Sequence, residues 1–164
     1  MKKRELKKVT PYVYRRIFDL TMYSEELLKS YGLQQAKYIY IGSSNIEPKY
    51  RTYRWKSHVK GRYSIDKNVL KFLDDYQIFL EEQSDMDAKE IDKLLYDTLE
   101  VFSKHQSIEN AQKLENDLIG HYQMLQATNE TRSIKDRVFI LNSYGSSVKI
   151  KDNKVKFKRR LFLD

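Results

Sequence analysis

The chain carries several side chains whose types and spacing suit chemistry on an anion. On a helical wheel of residues 108–125, Ile108, Ala111, Leu118, Ile119 and Tyr122 form one apolar stripe, with Leu114 and Leu125 at its edge. Glu115 falls near the middle of that stripe, whereas Glu109, Asn116 and Asp117 fall off it. A carboxylate turned toward a core is costly unless it is paired with a cation or holds a metal. The wheel leaves both readings open, a bridge to a nearby Arg or Lys and a metal anchor. The chain has no cysteine. Any metal would therefore bind through oxygen or imidazole, a donor set that favours a hard cation. Arg54 and His58 stand four residues apart, so a helix puts them on one face. A guanidinium offers a fixed fork of donors to phosphate oxygens, and an imidazole can donate to phosphate or relay a proton near neutrality.

Two short segments rich in tyrosine and β-branched residues must position these groups. Residues 12–18 and 37–42 alternate at period two and read as strands. Tyr12, Tyr14 and Arg16 share one face of the first and Val13 and Ile17 the other. Tyr38 and Tyr40 oppose Ile39 and Ile41 in the second. Between them, Leu20, Tyr23, Leu27 and Tyr31 predict a helix ending at Gly32. A basic loop follows, then a helix marked by Ile65, Val69, Phe72, Leu73 and Tyr76 with Ser64 as its N-cap. Residues 77–81 read as a third strand. A helix through Ile91, Leu94, Leu95, Leu99 and Phe102 starts at the capping pair Asp87 and Glu90, and another runs from Ser107 to Gln126. Near the end, Val148/Ile150 and Val155/Phe157 alternate around Asp152-Asn153 and predict a hairpin.

Composition narrows the function classes. With 164 residues, 40% hydrophobic and 33% charged, the chain suits one globular domain, residues 1–164. The expectation is an α+β fold, a small three-stranded antiparallel sheet flanked by helices, with residues 137–164 a basic hairpin extension. No apolar run is long enough for a membrane span or a secretory leader, and the lack of cysteine fits a cytoplasmic protein. Net charge is +8, and residues 49–62 hold six Lys/Arg and no acid. That segregation attracts polyanions. Lys49, Arg51, Lys56, Lys60 and Arg62, with Lys149, Lys151, Lys156 and Lys158 of the hairpin, are the candidate phosphate contacts. The hairpin lysines serve equally as edge protection against aggregation. There is no glycine-rich phosphate loop, nucleophile elbow or zinc ligand set.

Taken in order, Tyr40-Ile41-Gly42, then Arg54-Trp55-Lys56-Ser57-His58, then Glu115-Asn116-Asp117-Leu118-Ile119 resemble the catalytic domain of the GIY-YIG nucleases over residues 11–129. The second tyrosine motif is intact. In the first, Tyr14 keeps its place, while Tyr12 stands where a glycine is usual. The resemblance implies a catalytic set of Tyr14, Tyr40, Arg54, His58, Glu115 and Asn129, the last by position. It implies one Mg²⁺ or Mn²⁺ on Glu115, Tyr14 as general base, and DNA as substrate; the short length of the chain separately suggests a homodimer for cutting both strands. A free phenol is a poor base at neutral pH, but adjacent cations favour its anion. The alternatives from the same residues are a nucleic-acid-binding protein that has lost catalysis and an endoribonuclease. Trp55 reads as packing, Tyr12 and Tyr38 as cover for a half-exposed sheet face, and His105 and His121 as solvent-facing.

Overall fold

A computed structural model describes residues 7–33, 36–128, 138–142, 148–151 and 154–157. Strand β1 (Lys8–Asp19) pairs antiparallel with β2 (Lys37–Ile46) and, on its other side, with β3 (Leu99–Lys104). A short strand, β4 (Val138–Ile140), adds to β2 in parallel, giving a mixed four-stranded sheet in the order β3-β1-β2-β4. The sheet thus has one strand more than the antiparallel three expected. β4 lies within the segment read as a C-terminal extension. Residues 148–151 (β5) and 154–157 (β6) pair antiparallel as a separate two-stranded sheet, with Ile150 opposite Val155.

The period-two alternation of β1 and β2 splits two cores between the sheet faces. Val13, Ile39, Ile41 and Ile140 pack beneath helix α5 (Ile108–Thr128) through Ala111 and Ile119. Phe18 and Tyr38 face helices α2 (Pro48–Gly61), α3 (Lys67–Gln83) and α4 (Ala88–Tyr96), where Trp55, Val59, Phe72, Tyr76, Phe79 and Leu95 close a larger core. Tyr12 and Tyr38 are buried in that arrangement rather than half-exposed. Fully burying a large apolar side chain stabilises by roughly 1.5–3 kcal/mol, so both sheet faces contribute substantially to holding the sheet.

Several local expectations are corrected. The basic segment after β2 is helix α2, not a loop. Pro48 occupies its first turn, and Arg62 ends it in the left-handed region at φ 56°. The predicted helix from Leu20 to Tyr31 shrinks to α1 (Glu25–Ser30), capped by Ser24, with Gly32 at φ 78° just beyond. Tyr23 and Tyr31 recur there because both stack edge-on against Phe79, with ring centroids 4.6 and 5.2 Å away. Asp66, not Ser64, precedes α3, and Ser64 is itself left-handed at φ 53°. Residues 77–81 are the last turns of α3 rather than a strand, since Tyr76, Phe79 and Leu80 continue its buried stripe.

The third strand is β3 instead. Asp87 caps α4 as expected, accepting from the Glu90 amide at 2.8 Å, but α4 stops at Tyr96, so Leu99 and Phe102 are strand residues. Ser107 accepts from the Asn110 amide at 3.1 Å and opens α5. No helix among the described residues is long and apolar enough to cross a membrane.

Candidate active site

Strand register assembles the first half of the site. Arg16 stands opposite Tyr40, and Tyr14 opposite Gly42, so all project from the sheet face toward α2. A side chain at Gly42 would place its Cβ 2.3 Å from both Cζ and the hydroxyl oxygen of Tyr14. Only glycine lets the Tyr14 ring lie across β2. Helix α2 supplies the second half. Arg51, Arg54, Trp55 and His58 follow the i, i+3, i+4, i+7 spacing of one helical face. They meet Tyr14, Arg16 and Tyr40 around a cavity of about 140 Å³ that Ser64 and Ile65 close.

Within this cavity the Arg51 Nη2 donates to the Tyr14 hydroxyl oxygen at 3.0 Å, and its guanidinium lies 5.7 Å from the Tyr14 ring centroid. Burial alone would lower the Arg51 pKa, but the surrounding tyrosines Tyr14, Tyr40 and Tyr12 outweigh it and hold the group above its ordinary value. Arg16 is almost wholly buried. It donates from Nη1 to the Tyr96 carbonyl at 3.2 Å and sits 4.5 Å from the Trp55 ring centroid, while its Nε has no partner among the described residues. Burial lowers its pKa to about 10, which leaves it cationic at neutrality. The Tyr40 phenol is pushed well above the usual tyrosine range, first by burial and then by Tyr14 and Glu115. The Arg51 charge opposes that shift without reversing it. Trp55 packs as expected, donating to the Leu95 carbonyl at 3.2 Å.

Glu115 reaches the site from the other sheet face. Its Oε2 accepts from the Ser43 hydroxyl at 2.6 Å, one residue past Gly42. It is half-buried and in no ion pair among the described residues. Burial raises its pKa, with the Ser43 bond and the Arg51 charge opposing. Glu115 is not among the residues that line the cavity, although its charge acts on both Arg51 and Tyr40. No group of three or more His, Asp or Glu converges among the described residues.

Of the six residues expected in the site, four line one cavity and Glu115 lies beside it. Asn129 lies outside the described residues. So does Lys158, and so do the side chains of Lys149, Lys151 and Lys156. Of the α2 basic residues, Arg51 belongs to the cavity instead of an outer surface. Lys56 is 3.9 Å from Asp92, and Arg62 is 3.2 Å from Asp74. Lys49 and Lys60 are exposed, the latter 5.5 Å from the Tyr96 ring centroid. His105 is half-buried, with Nε2 2.7 Å from the Ser103 hydroxyl, and His121 is half-buried against Tyr122, so neither is simply solvent-facing.

Three features escaped the sequence reading. The place of Arg51 was available in its spacing to Arg54 and His58. The burial of Asp117, 2% exposed, contradicts its position on the wheel. Asn142 had no sequence signal. Its side-chain amide accepts from the Ile41 amide at 2.9 Å and donates to the Ile41 carbonyl at 2.8 Å, extending the β2 edge between Tyr40 and Gly42. No protein-family model, no curated protein and no solved structure matches this chain.

Proposed function

We propose that the chain is a divalent-metal-dependent endonuclease that hydrolyses phosphodiester bonds of DNA, in the manner of the GIY-YIG nucleases it resembles. The observation that carries this reading is the meeting of Tyr14, Tyr40, Arg51, Arg54 and His58 in one cavity, with Glu115 in electrostatic reach. Hydrolysis of a phosphodiester needs an activated water, neutralised phosphate charge and help for the departing oxygen. As a phenolate, Tyr14 would accept from Arg51 and also from a water, whose proton it takes as general base. Tyr40, held neutral by burial, serves as a hydrogen-bond donor. Arg54 holds a non-bridging oxygen, and His58 donates to the departing one.

The donor set at Glu115 fits a hard cation. A single half-buried carboxylate, with one oxygen on Ser43 and no described partner for Oε1, matches the way Mg²⁺ binds through one carboxylate, waters and substrate phosphate. Mn²⁺ fits the same donors. A cation bound there would neutralise phosphate charge and stabilise the leaving oxyanion.

A plasmid-nicking assay with Mg²⁺ tests the reading. Cleavage is expected in the native chain and loss of cleavage in Glu115→Ala and Tyr14→Phe; undiminished cutting by either variant removes the assignment. The absence of Glu115 from the cavity lining favours a second reading, a protein that binds nucleic acid without cutting it. Binding with no cleavage under Mg²⁺ or Mn²⁺ would select it, and competing DNA and RNA substrates separate a ribonuclease.

A further inference from the structure

Helix α2 carries two polar faces. Lys49, Thr52, Tyr53 and Lys56 keep the i, i+3, i+4, i+7 spacing on the side of α2 away from Arg51, Arg54 and His58. Lys89, Asp92, Lys93 and Tyr96 repeat that spacing on α4. The two faces enclose a groove of about 560 Å³, within the roughly 300–1,000 Å³ of clefts that take small organic molecules. None of its lining residues lines the cavity of Tyr14 and Tyr40.

Positive charge and an open aromatic face coincide there. Four lysines line the groove against two carboxylates, Asp92 and Asp97. Asp92 is 3.9 Å from Lys56, and the Asp97 charge acts on the buried Arg16. Lys49, Lys89 and Lys93 are exposed and in no ion pair among the described residues. At the floor, the buried Tyr96 ring lies 5.5 Å from the ammonium groups of both Lys56 and Lys60. At the rim, Tyr53 is 66% exposed, more than any other aromatic side chain among the described residues. Its ring meets that of Tyr50 at a tilt of 36°, with centroids 5.9 Å apart, and leaves a broad face to solvent.

Uncommitted ammonium groups beside an open ring select the ligand. A polynucleotide supplies evenly spaced negative charge, and its bases supply flat faces to lie on Tyr53. In a duplex those faces are covered by neighbouring bases, so only an unpaired strand can use both features. An acidic peptide would meet the lysines and leave the ring idle.

We infer that the groove between α2 and α4 binds single-stranded nucleic acid, with Tyr53 stacking an unpaired base and Lys49, Lys89 and Lys93 holding the phosphates beside it. It rests on the proposed function only in taking that strand to be part of the polynucleotide cut at the cavity. Binding in the groove needs no cation.

Fluorescence anisotropy of the full chain with a short labelled oligothymidine in EDTA tests this. Saturable binding is expected. Tyr53→Ala should weaken it by about tenfold or more and leave affinity for a blunt duplex unchanged, while Tyr53→Phe, which keeps the ring, stays close to the native chain. Lys89→Ala and Lys93→Ala should each lower the slope of log affinity against log salt by about 0.7. All three positions are exposed, so the substitutions leave the fold intact, which circular dichroism checks. Unchanged oligothymidine affinity in Tyr53→Ala, or an equal loss for the blunt duplex, overturns the inference. So does equal displacement of the oligothymidine by poly-glutamate, which would assign the groove to acidic protein segments. Tyr53-dependent binding by a chain that nicks no plasmid under Mg²⁺ would refute the nuclease and keep the groove. Nicking by a chain whose oligothymidine affinity ignores Tyr53 would do the reverse.

Discussion

The Tyr14 ring occupies the space that a side chain at Gly42 would fill, its hydroxyl oxygen 2.3 Å from where that Cβ would stand. The two residues face each other across β1 and β2, so neither can move aside without disturbing the ladder. Gly42→Ala should therefore destabilise by about 1–3 kcal/mol through overpacking and reduce nicking at least tenfold. Urea unfolding and plasmid nicking measure the two effects. A Tyr14→Ala and Gly42→Ala double-mutant cycle should show that the stability losses are strongly non-additive.

Arg51→Lys keeps the charge and loses the fork that reaches Tyr14. The expected outcome is a fall in kcat of about 10²-fold, comparable to loss of one preorganised donor to an oxyanion. Steady-state kinetics on a short duplex check it. An equal fall in Arg51→Ala would show that the fork, rather than the charge, carries the effect.

Burial raises the Glu115 pKa, and a carboxyl so shifted binds its proton more tightly in the folded state. Its contribution to stability is thus full below the ordinary carboxyl pKa and is lost as pH rises through the raised value. Glu115→Gln should unfold at higher urea than the native chain at pH 7 and differ less from it at pH 4, while losing nicking. Mg²⁺ should raise the unfolding midpoint of the native chain and leave that of Glu115→Gln unchanged.

Tyr40 follows the same sign. Its raised phenol pKa means that the protonated form is favoured on folding, and this stabilisation is lost as pH climbs past the ordinary tyrosine range toward the raised value. Phenolate absorbance followed on alkaline titration should show the native chain minus Tyr40→Phe difference appearing only above the range of the exposed tyrosines.

Lys49 and Lys60 are exposed on α2 and carry no ion pair among the described residues. Replacing either with alanine should weaken binding evenly across sequences and lower the salt slope of DNA affinity by about 1. Lys56→Ala should do less, because Asp92 already shares its charge. Fluorescence anisotropy across a salt series distinguishes the three.

The site was legible wherever a short period governs it. Alternation in β1 and β2 put Tyr12, Tyr14 and Arg16 on one face, and the four-residue step joined Arg54 to His58. What escaped depends on partners distant in sequence. β3 is an edge strand with Val101 and Phe102 exposed, so its apolar residues continued the helical spacing of Leu94 and Leu95 and hid the break after Tyr96. Residues 77–81 failed for the opposite reason, since five residues alternate by chance inside any amphipathic helix. β4 has only three residues, too few to show a period, and exists because Lys37–Ile39 offers it an open edge. The clash that fixes Gly42 as glycine becomes visible only once the strand register is known.

The clasp of Asn142 on Ile41 spans 101 residues. During synthesis, β1 and β2 leave the ribosome long before that amide does, and before β3 and α5 arrive to cover them. The tyrosine ladder must therefore wait, half-dressed, for the last quarter of the chain. Contacts of such long range make folding slow to complete, and premature termination anywhere before residue 142 leaves the Ile41 edge open to another strand.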